Sequence, residues 1–254
     1  MLMAILMAIC CSHAMAVDAA KETARPNVVL VMADDQGYGD MGYNGHPFVQ
    51  TPNFDAMSRA SLRLDRFYAA APICSPTRAS VLTGRHPHRS NVLSHGRSMR
   101  PQEITIAAAL KHADYATGHF GKFHVGAMEL PSPVHPGRFG FDRWVSAPNF
   151  FDQDPVMSSN GRAVECKGES SQITVDAAID FIAEQAKAKR PFLAVVWFAA
   201  PHDPHVASEK DLALYSDQGK RAGYYAEITA MDRAFGRLRT KIRELGLRDN
   251  TILW

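Results

Sequence analysis

Val28-Val29-Leu30-Val31-Met32-Ala33-Asp34-Asp35-Gln36-Gly37 is the stretch on which the fold turns. Six apolar residues run without a polar interruption, behind Pro26. A strand with one solvated face would alternate, so this run predicts a strand buried on both faces, as in a parallel sheet. Asp34 and Asp35 then follow at its carboxyl end, where open α/β sheets bind their ligands. Two adjacent carboxylates repel each other, and a hard cation would relieve that repulsion. Asp and Gly are also common turn residues, so a solvated turn stands beside the metal reading at this point.

Working outward, strands and helices alternate. Thr51 to Arg63 is expected to be helical, opened by Thr51-Pro52. Thr77 to Thr83 predicts a short helix closed by Gly84, and Ile104 to His112 another. Tyr115 to Phe120 predicts a second strand. Val125 to Ser170 is rich in Pro, Gly, Ser and Asn, and reads as long loops with short elements. Gln172 to Lys189 predicts a helix, and Phe192 to Ala199 a strongly apolar strand. Tyr225, Ile228, Met231, Phe235, Leu238, Ile242 and Leu245 recur at helical spacing, so Gly223 to Leu245 is expected to be a long amphipathic helix. Thr251 to Trp254 starts a further apolar run. The fold class is therefore α/β, a mostly parallel sheet with helices on both faces. The stop inside a core strand implies a truncated domain.

Composition bounds the function. The 254 residues carry 46% hydrophobic and 21% charged residues, ordinary for a globular domain. A formal net charge of +2, with no basic run, gives no basis for a nucleic-acid partner. Met1 to Cys11 is apolar and uncharged, and Ala14-Met15-Ala16 offers a cleavage pattern, so residues 1–16 read as a signal peptide and 17–25 as a leader. That apolar stretch is too short for a stable membrane span. Export implies a periplasmic or extracellular location. Removing the leader leaves Cys74 and Cys166 of the four cysteines, too few for a disulfide scaffold. One bridge between them remains open; Cys166 is assigned no role.

Cys74-Ser75-Pro76-Thr77-Arg78 carries the most chemistry. With Ser75 as cap and Pro76 in the first turn, Cys74 falls just before a helix N-terminus, where free N–H groups and the helix dipole favour an anion. Arg78 lies one turn on and can bring its donor fork to the same point. A cysteine so placed is a low-pKa thiol or a modified residue.

Five segments now form an ordered set. Cys74-Ser75-Pro76-Thr77-Arg78 continues as Ala79-Ser80-Val81-Leu82-Thr83-Gly84-Arg85, and this resembles the signature of the type I, formylglycine-dependent sulfatases of the alkaline-phosphatase superfamily. Gly121-Lys122-Phe123-His124-Val125-Gly126 resembles that family's second signature, and Asp34-Asp35-Gln36-Gly37 its first metal segment. Ala200-Pro201-His202-Asp203-Pro204-His205 resembles its later histidine motif, and Leu247 to Ile252 the approach to its second metal segment. Together they span residues 26–254 as the amino-terminal part of the catalytic domain.

The resemblance implies an alkaline-phosphatase-like fold and hydrolysis of a sulfate ester. Cys74 would be oxidised to formylglycine by a separate formylglycine-generating enzyme and hydrated to a diol. A calcium ion would be held by Asp34, Asp35 and the modified Cys74, as Lewis acid and template. One diol hydroxyl would attack sulfur, and the second would release sulfate by elimination. Arg78 would stabilise the diol, Lys122 neutralise the sulfate, and His124 assist the proton transfer. Lys122 and His124, two apart in an extended segment, would share a face. His202 would contact the sulfate or protonate the leaving oxygen; His205 could line the substrate rim. The partner would be a sulfated small molecule or polysaccharide.

The sequence departs from the family at its end. The second metal segment, a later lysine and the smaller C-terminal domain are not among the 254 residues, so this polypeptide alone is expected to be inactive. Two rivals remain: a phosphodiesterase or phosphonate hydrolase of the same superfamily, and a non-catalytic relative that binds sulfated glycans.

Overall fold

The structure, a computed structural model, describes residues 25–254. The expected signal peptide, and the leader as far as residue 24, lie outside the described residues. In chain order the elements are β1 (Asn27–Met32), α1 (Pro52–Ala60), α2 (Cys74–Thr83), α3 (Pro87–Ser90), α4 (Ile106–His112), β2 (Ala116–Lys122), β3 (Arg143–Ala147), β4 (Val156–Ser159), β5 (Arg162–Glu165), α5 (Ser170–Ala188), β6 (Phe192–Trp197), α6 (Glu209–Leu212), α7 (Ala222–Glu244) and β7 (Thr251–Leu253).

The strands form one seven-stranded sheet in the order β5-β4-β3-β2-β6-β1-β7. β3, β2, β6, β1 and β7 are all parallel, and β4 and β5 add an antiparallel edge. The central strands are covered on both faces, which is why their sequences do not alternate. Phe192, Ala194 and Val196 of β6 pack with Val175, Phe181 and Ile182 of α5 and Met231, Ala234 and Leu238 of α7. Leu193, Val195 and Trp197 point the other way, against Ala79 and Leu82 of α2 and Ala107 of α4. Each large side chain so buried contributes roughly 1.5–3 kcal/mol over leaving it exposed.

Three of the helices start where side chains hold their first N–H groups. Thr105 caps α4 by accepting from Ala108 N, and Glu169 caps α5 by accepting from Ser171 N and Gln172 N. α1 is capped from afar: the Asp232 carboxylate, projecting from α7, accepts from Asn53 N at 3.0 Å and Phe54 N at 2.8 Å. α1 ends at Ala60, short of the expected Arg63.

The stretch Val125 to Ser170, expected as long loops with short elements, holds three short strands: β3 joins the sheet in parallel beside β2, and β4 and β5 form a hairpin beyond it. These strands are five, four and four residues long, and β5 is exposed throughout. Their pairing comes from neighbours already in the sheet, so their own pattern carries little signal. Among the described residues no helix is long and apolar enough to cross a membrane.

Candidate active site

Parallel order places the motifs together. β2, β6 and β1 are adjacent, and their registers bring Gly121 and Met32 opposite Trp197. The residues just past these three strands therefore meet at one end of the sheet. Asp34 N donates to Ala200 O at 3.1 Å, tying the loop after β1 to the loop after β6.

Asp34 is the buried centre of the site, only 2% exposed. Its Oδ2 lies 2.5 Å from Lys122 Nζ and its Oδ1 3.3 Å from Arg78 Nη1. Arg78 and Lys122 are themselves 2% and 0% exposed. One carboxylate thus faces two buried cations, which leaves a surplus of positive charge in a low-dielectric setting. Arg78 Nε also donates to Lys122 O at 3.3 Å, and its guanidinium lies 5.4 Å from the Trp197 ring centre. Arg78 Nη2 is buried without a hydrogen-bond partner. An unpaired buried guanidinium donor is costly, and an oxyanion would satisfy it.

Cys74 sits differently from expectation. α2 begins at Cys74 itself, with Ile73 as the extended cap residue. Ser75 is therefore inside the first turn and caps nothing; its Oγ accepts from Gly96 N at 2.9 Å and anchors the loop at residue 96. Cys74 remains at the positive end of the helix. Arg78, one turn later, donates to Cys74 O at 3.5 Å, so the two do share one location. Cys74 and Cys166 are both free, which removes the disulfide between them.

The histidines divide into two kinds. His124 is 6% exposed, and burial, then the charges of Lys122 and Arg78, lowers its pKa to about 4. Its imidazole is neutral at neutral pH and can accept a proton. Lys122 and His124 do not share a strand face, contrary to the expectation from their spacing. β2 stops at Lys122, and His124 has φ +52°, in the left-handed region. A turn, not a strand, brings it to Arg78. His202 lies at the rim, its Nε2 3.4 Å from Asp35 Oδ2 and its ring 5.3 Å from that of Phe150. Asp35 is exposed and also left-handed, with φ +58°. His205 stands farther along the same loop, its Nε2 4.0 Å from Asp203 Oδ1.

Two further residues near the site carry no motif in the sequence. His95, exposed, packs its ring edge-on at 5.6 Å from His124. His119 is fully buried beneath the site with Nδ1 2.8 Å from Ser146 Oγ, and burial, then Arg78, holds its pKa at about 3. His119 lies inside β2 and His95 in an irregular loop, so no motif spacing marks either.

The donor set accepts a cation only in part. Ligand atoms of Asp34, Cys74 and His202 lie within 4.8 Å of one another. As a thiol, Cys74 would bias this set toward softer metals. Replacing its sulfur by oxygen, with Asp35 adjacent, would shift the set toward a hard cation such as calcium, although calcium takes six to eight oxygens. The unpaired Arg78 donor and the cation surplus fit an anion bound beside that metal.

The comparisons with known proteins agree with this geometry. The chain is 31% identical over 254 residues to the ulvan-active sulfatase of Formosa agariphila, covering 91% of this chain and 50% of that protein. It is 30% identical over 267 residues to the N-acetylgalactosamine-6-sulfatase of Canis lupus familiaris, covering 90% of this chain and 49% of that protein. The chain thus spans about half the length of these curated relatives. The crystal structure of Ps i-CgsB superimposes with a TM-score of 0.83 at 26% identity, over 89% of this chain and 57% of that one. The family model of the sulfatases matches residues 26–254. With the same motifs gathered at one sheet end, this chain belongs to the sulfatase family.

Proposed function

We propose that the complete protein hydrolyses sulfate esters and that its substrates are sulfated carbohydrates. The observation that carries this reading is the buried charge surplus: Arg78 and Lys122 against Asp34, with Arg78 Nη2 unpaired, beside Cys74 at a helix N-terminus. Such a pocket is complementary to a tetrahedral oxyanion held next to a nucleophile. The relatives named for ulvan and for N-acetylgalactosamine 6-sulfate support carbohydrate as the substrate class.

In this reading a formylglycine-generating enzyme converts Cys74, and Asp34, Asp35 and the converted side chain hold a calcium ion. Together the two groups supply a hydrated aldehyde as nucleophile and Lewis-acid polarisation of the sulfate. Arg78 orients the residue at position 74 from one helical turn away and donates its free Nη2 to a sulfate oxygen. Lys122 offers a point charge, partly shared with Asp34. His124, neutral because it is buried among cations, takes up the proton that must leave for sulfate release. His202, at the rim beside Asp35, faces the ester oxygen and can protonate the leaving alcohol. The apolar signal-peptide pattern of residues 1–16 supports a periplasmic or extracellular location.

Mass spectrometry of the peptide holding Cys74, from the complete protein matured with the converting enzyme, is expected to show a loss of about 18 Da relative to the thiol. Sulfate release should vanish in Cys74→Ala. Turnover of aryl phosphate above aryl sulfate would favour the phosphodiesterase reading. Full sulfatase rate with an intact thiol would refute the proposed nucleophile.

A further inference from the structure

Beyond the sulfate pocket, the loop after β6 and the start of α7 close a second ring of polar groups. His202 Nε2 lies 3.4 Å from Asp35 Oδ2. Two residues on from Asp35, Gly37 N donates to Asp40 Oδ2 at 2.9 Å. The same Asp40 oxygen accepts from Tyr224 OH at 2.6 Å, and the Tyr224 ring packs 5.2 Å from that of His205. His205 Nε2 then returns to Asp203 Oδ1 at 4.0 Å, one residue from His202. Gln153 Nε2 holds the loop from the other side by donating to Val206 O at 3.0 Å.

Behind this ring two polar atoms are buried without a hydrogen bond. They are Glu227 Oε2, whose side chain is 8% exposed, and His205 Nδ1. They face each other at 3.6 Å, just too long for a hydrogen bond. A buried polar pair left unmade costs free energy, so it calls for an event that draws it together.

We infer that His205 and Asp203 form a carbohydrate subsite beside the transferred sulfate, recognising a hydroxyl of the sugar, and that Glu227 positions His205 for it. This rests on the sulfate-ester reading given above. A hydroxyl is the group that fits, because it accepts one hydrogen bond and donates another. An oxygen about 2.8 Å from both His205 Nε2 and Asp203 Oδ1 would see them at an angle of about 90°, an accessible geometry for a bridging hydroxyl. Burial pushes Glu227 up to about 8, so at neutral pH it is an uncharged donor to Nδ1, leaving Nε2–H turned outward. The sugar oxygen accepts from Nε2–H, and its hydrogen goes to Asp203, whose side chain is 87% exposed. A second anion is disfavoured here by Asp203 and Asp152, whose charges act on Glu227. A metal is disfavoured because, among the described residues, the three-ligand group that converges is Asp34, Cys74 and His202 instead.

The test compares two kinds of substrate in the complete, matured protein: 4-nitrophenyl sulfate, and a panel of galactose, N-acetylgalactosamine and glucosamine sulfated at O4 or O6. The quantity read is the ratio of kcat/KM for the best sugar to that for the aryl ester. His205→Ala and Asp203→Asn are each expected to lower this ratio about tenfold, chiefly through KM, the loss of one hydrogen bond. Glu227→Ala should lower it through KM as well, and Glu227→Gln, which keeps a neutral donor, should restore it. An equal fall for both substrates, or no change in the ratio, would overturn the subsite. So would a wild-type protein that cleaves the aryl ester and none of the sugars. If the matured wild type releases sulfate from neither kind of substrate, the sulfate-ester reading itself fails, and the subsite with it.

Discussion

Glu227 ties α7 to the pH dependence of stability. Burial is the main cause of its raised pKa, reinforced by Asp152 and then by Glu169 and Asp203, with the Val206 N–H opposing them. His205 is the basic group that faces it, at 3.6 Å. The folded-state value of about 8 stands above the ordinary 4.5. Between those two values the folded protein holds a proton that the unfolded chain has lost, so the unfolded state binds fewer protons and stability must fall as pH rises. Below about 4.5 both states are protonated and the effect is absent; above about 8 the whole penalty is in place. A displacement from 4.5 to about 8 corresponds to on the order of 5 kcal/mol between protonation states. Water reaching the rim through the exposed Asp203, and relaxation of the loop, reduce the measurable part to about 2–4 kcal/mol. Glu227→Gln removes the titration while keeping the shape. Urea unfolding followed by tryptophan fluorescence, at intervals from pH 5 to pH 9, should show the wild type losing stability relative to Glu227→Gln across that window. Parallel curves for the two proteins, or a wild type that gains on the variant as pH rises, would refute the assignment of a neutral buried carboxyl.

Three further perturbations follow from named contacts. Asp232→Ala strips the cap from α1 and leaves Asn53 N and Phe54 N unpaired, at a cost of about 2–4 kcal/mol in a denaturant titration. Gly121→Ala places a Cβ 1.8 Å from Trp197 O at a residue with φ +99°; it should prevent β2 from docking on β6, read as loss of soluble, folded protein. Arg78→Lys keeps a charge but cannot reach Asp34 Oδ1, Lys122 O and Cys74 O at once, so kcat for sulfate release should fall at least about a hundredfold with a much smaller change in the unfolding midpoint.

Much of the site was legible because parallel strands report their own ends. The apolar runs at Val28 and Phe192 are uninterrupted, since both faces are covered, and the polar residues that follow each run must emerge at the sheet's carboxyl edge. The strand end by itself left Asp34 and Asp35 open between a turn and a metal site; the ordered motifs and their resemblance to the sulfatases singled out these two together with Lys122, His124 and His202. The pairing of Arg78 and Lys122 with Asp34 was not legible. It depends on β2 lying two strands from β1, with β6 between them, and strand order is not written in local periodicity. Nor was the position of Cys74 inside the first turn of α2. The Ser-Pro pair is equally compatible with a cap at Ser75, and the contact between Ser75 Oγ and Gly96 N decided otherwise.

The amino-acid sequence alone determined the α/β class, the charged residues that follow the apolar strands, and the edge of the sheet at which they gather. Those follow from burial patterns and from residue chemistry, which act over a few neighbouring positions. Tertiary structure decided which charges touch, that α1 is capped by Asp232 from 178 residues away, that β3 to β5 exist at all, and that Glu227 faces His205 behind the rim. Those contacts join segments far apart in the chain, and their free energy comes from desolvation and pairing that exist only once the sheet and helices have packed.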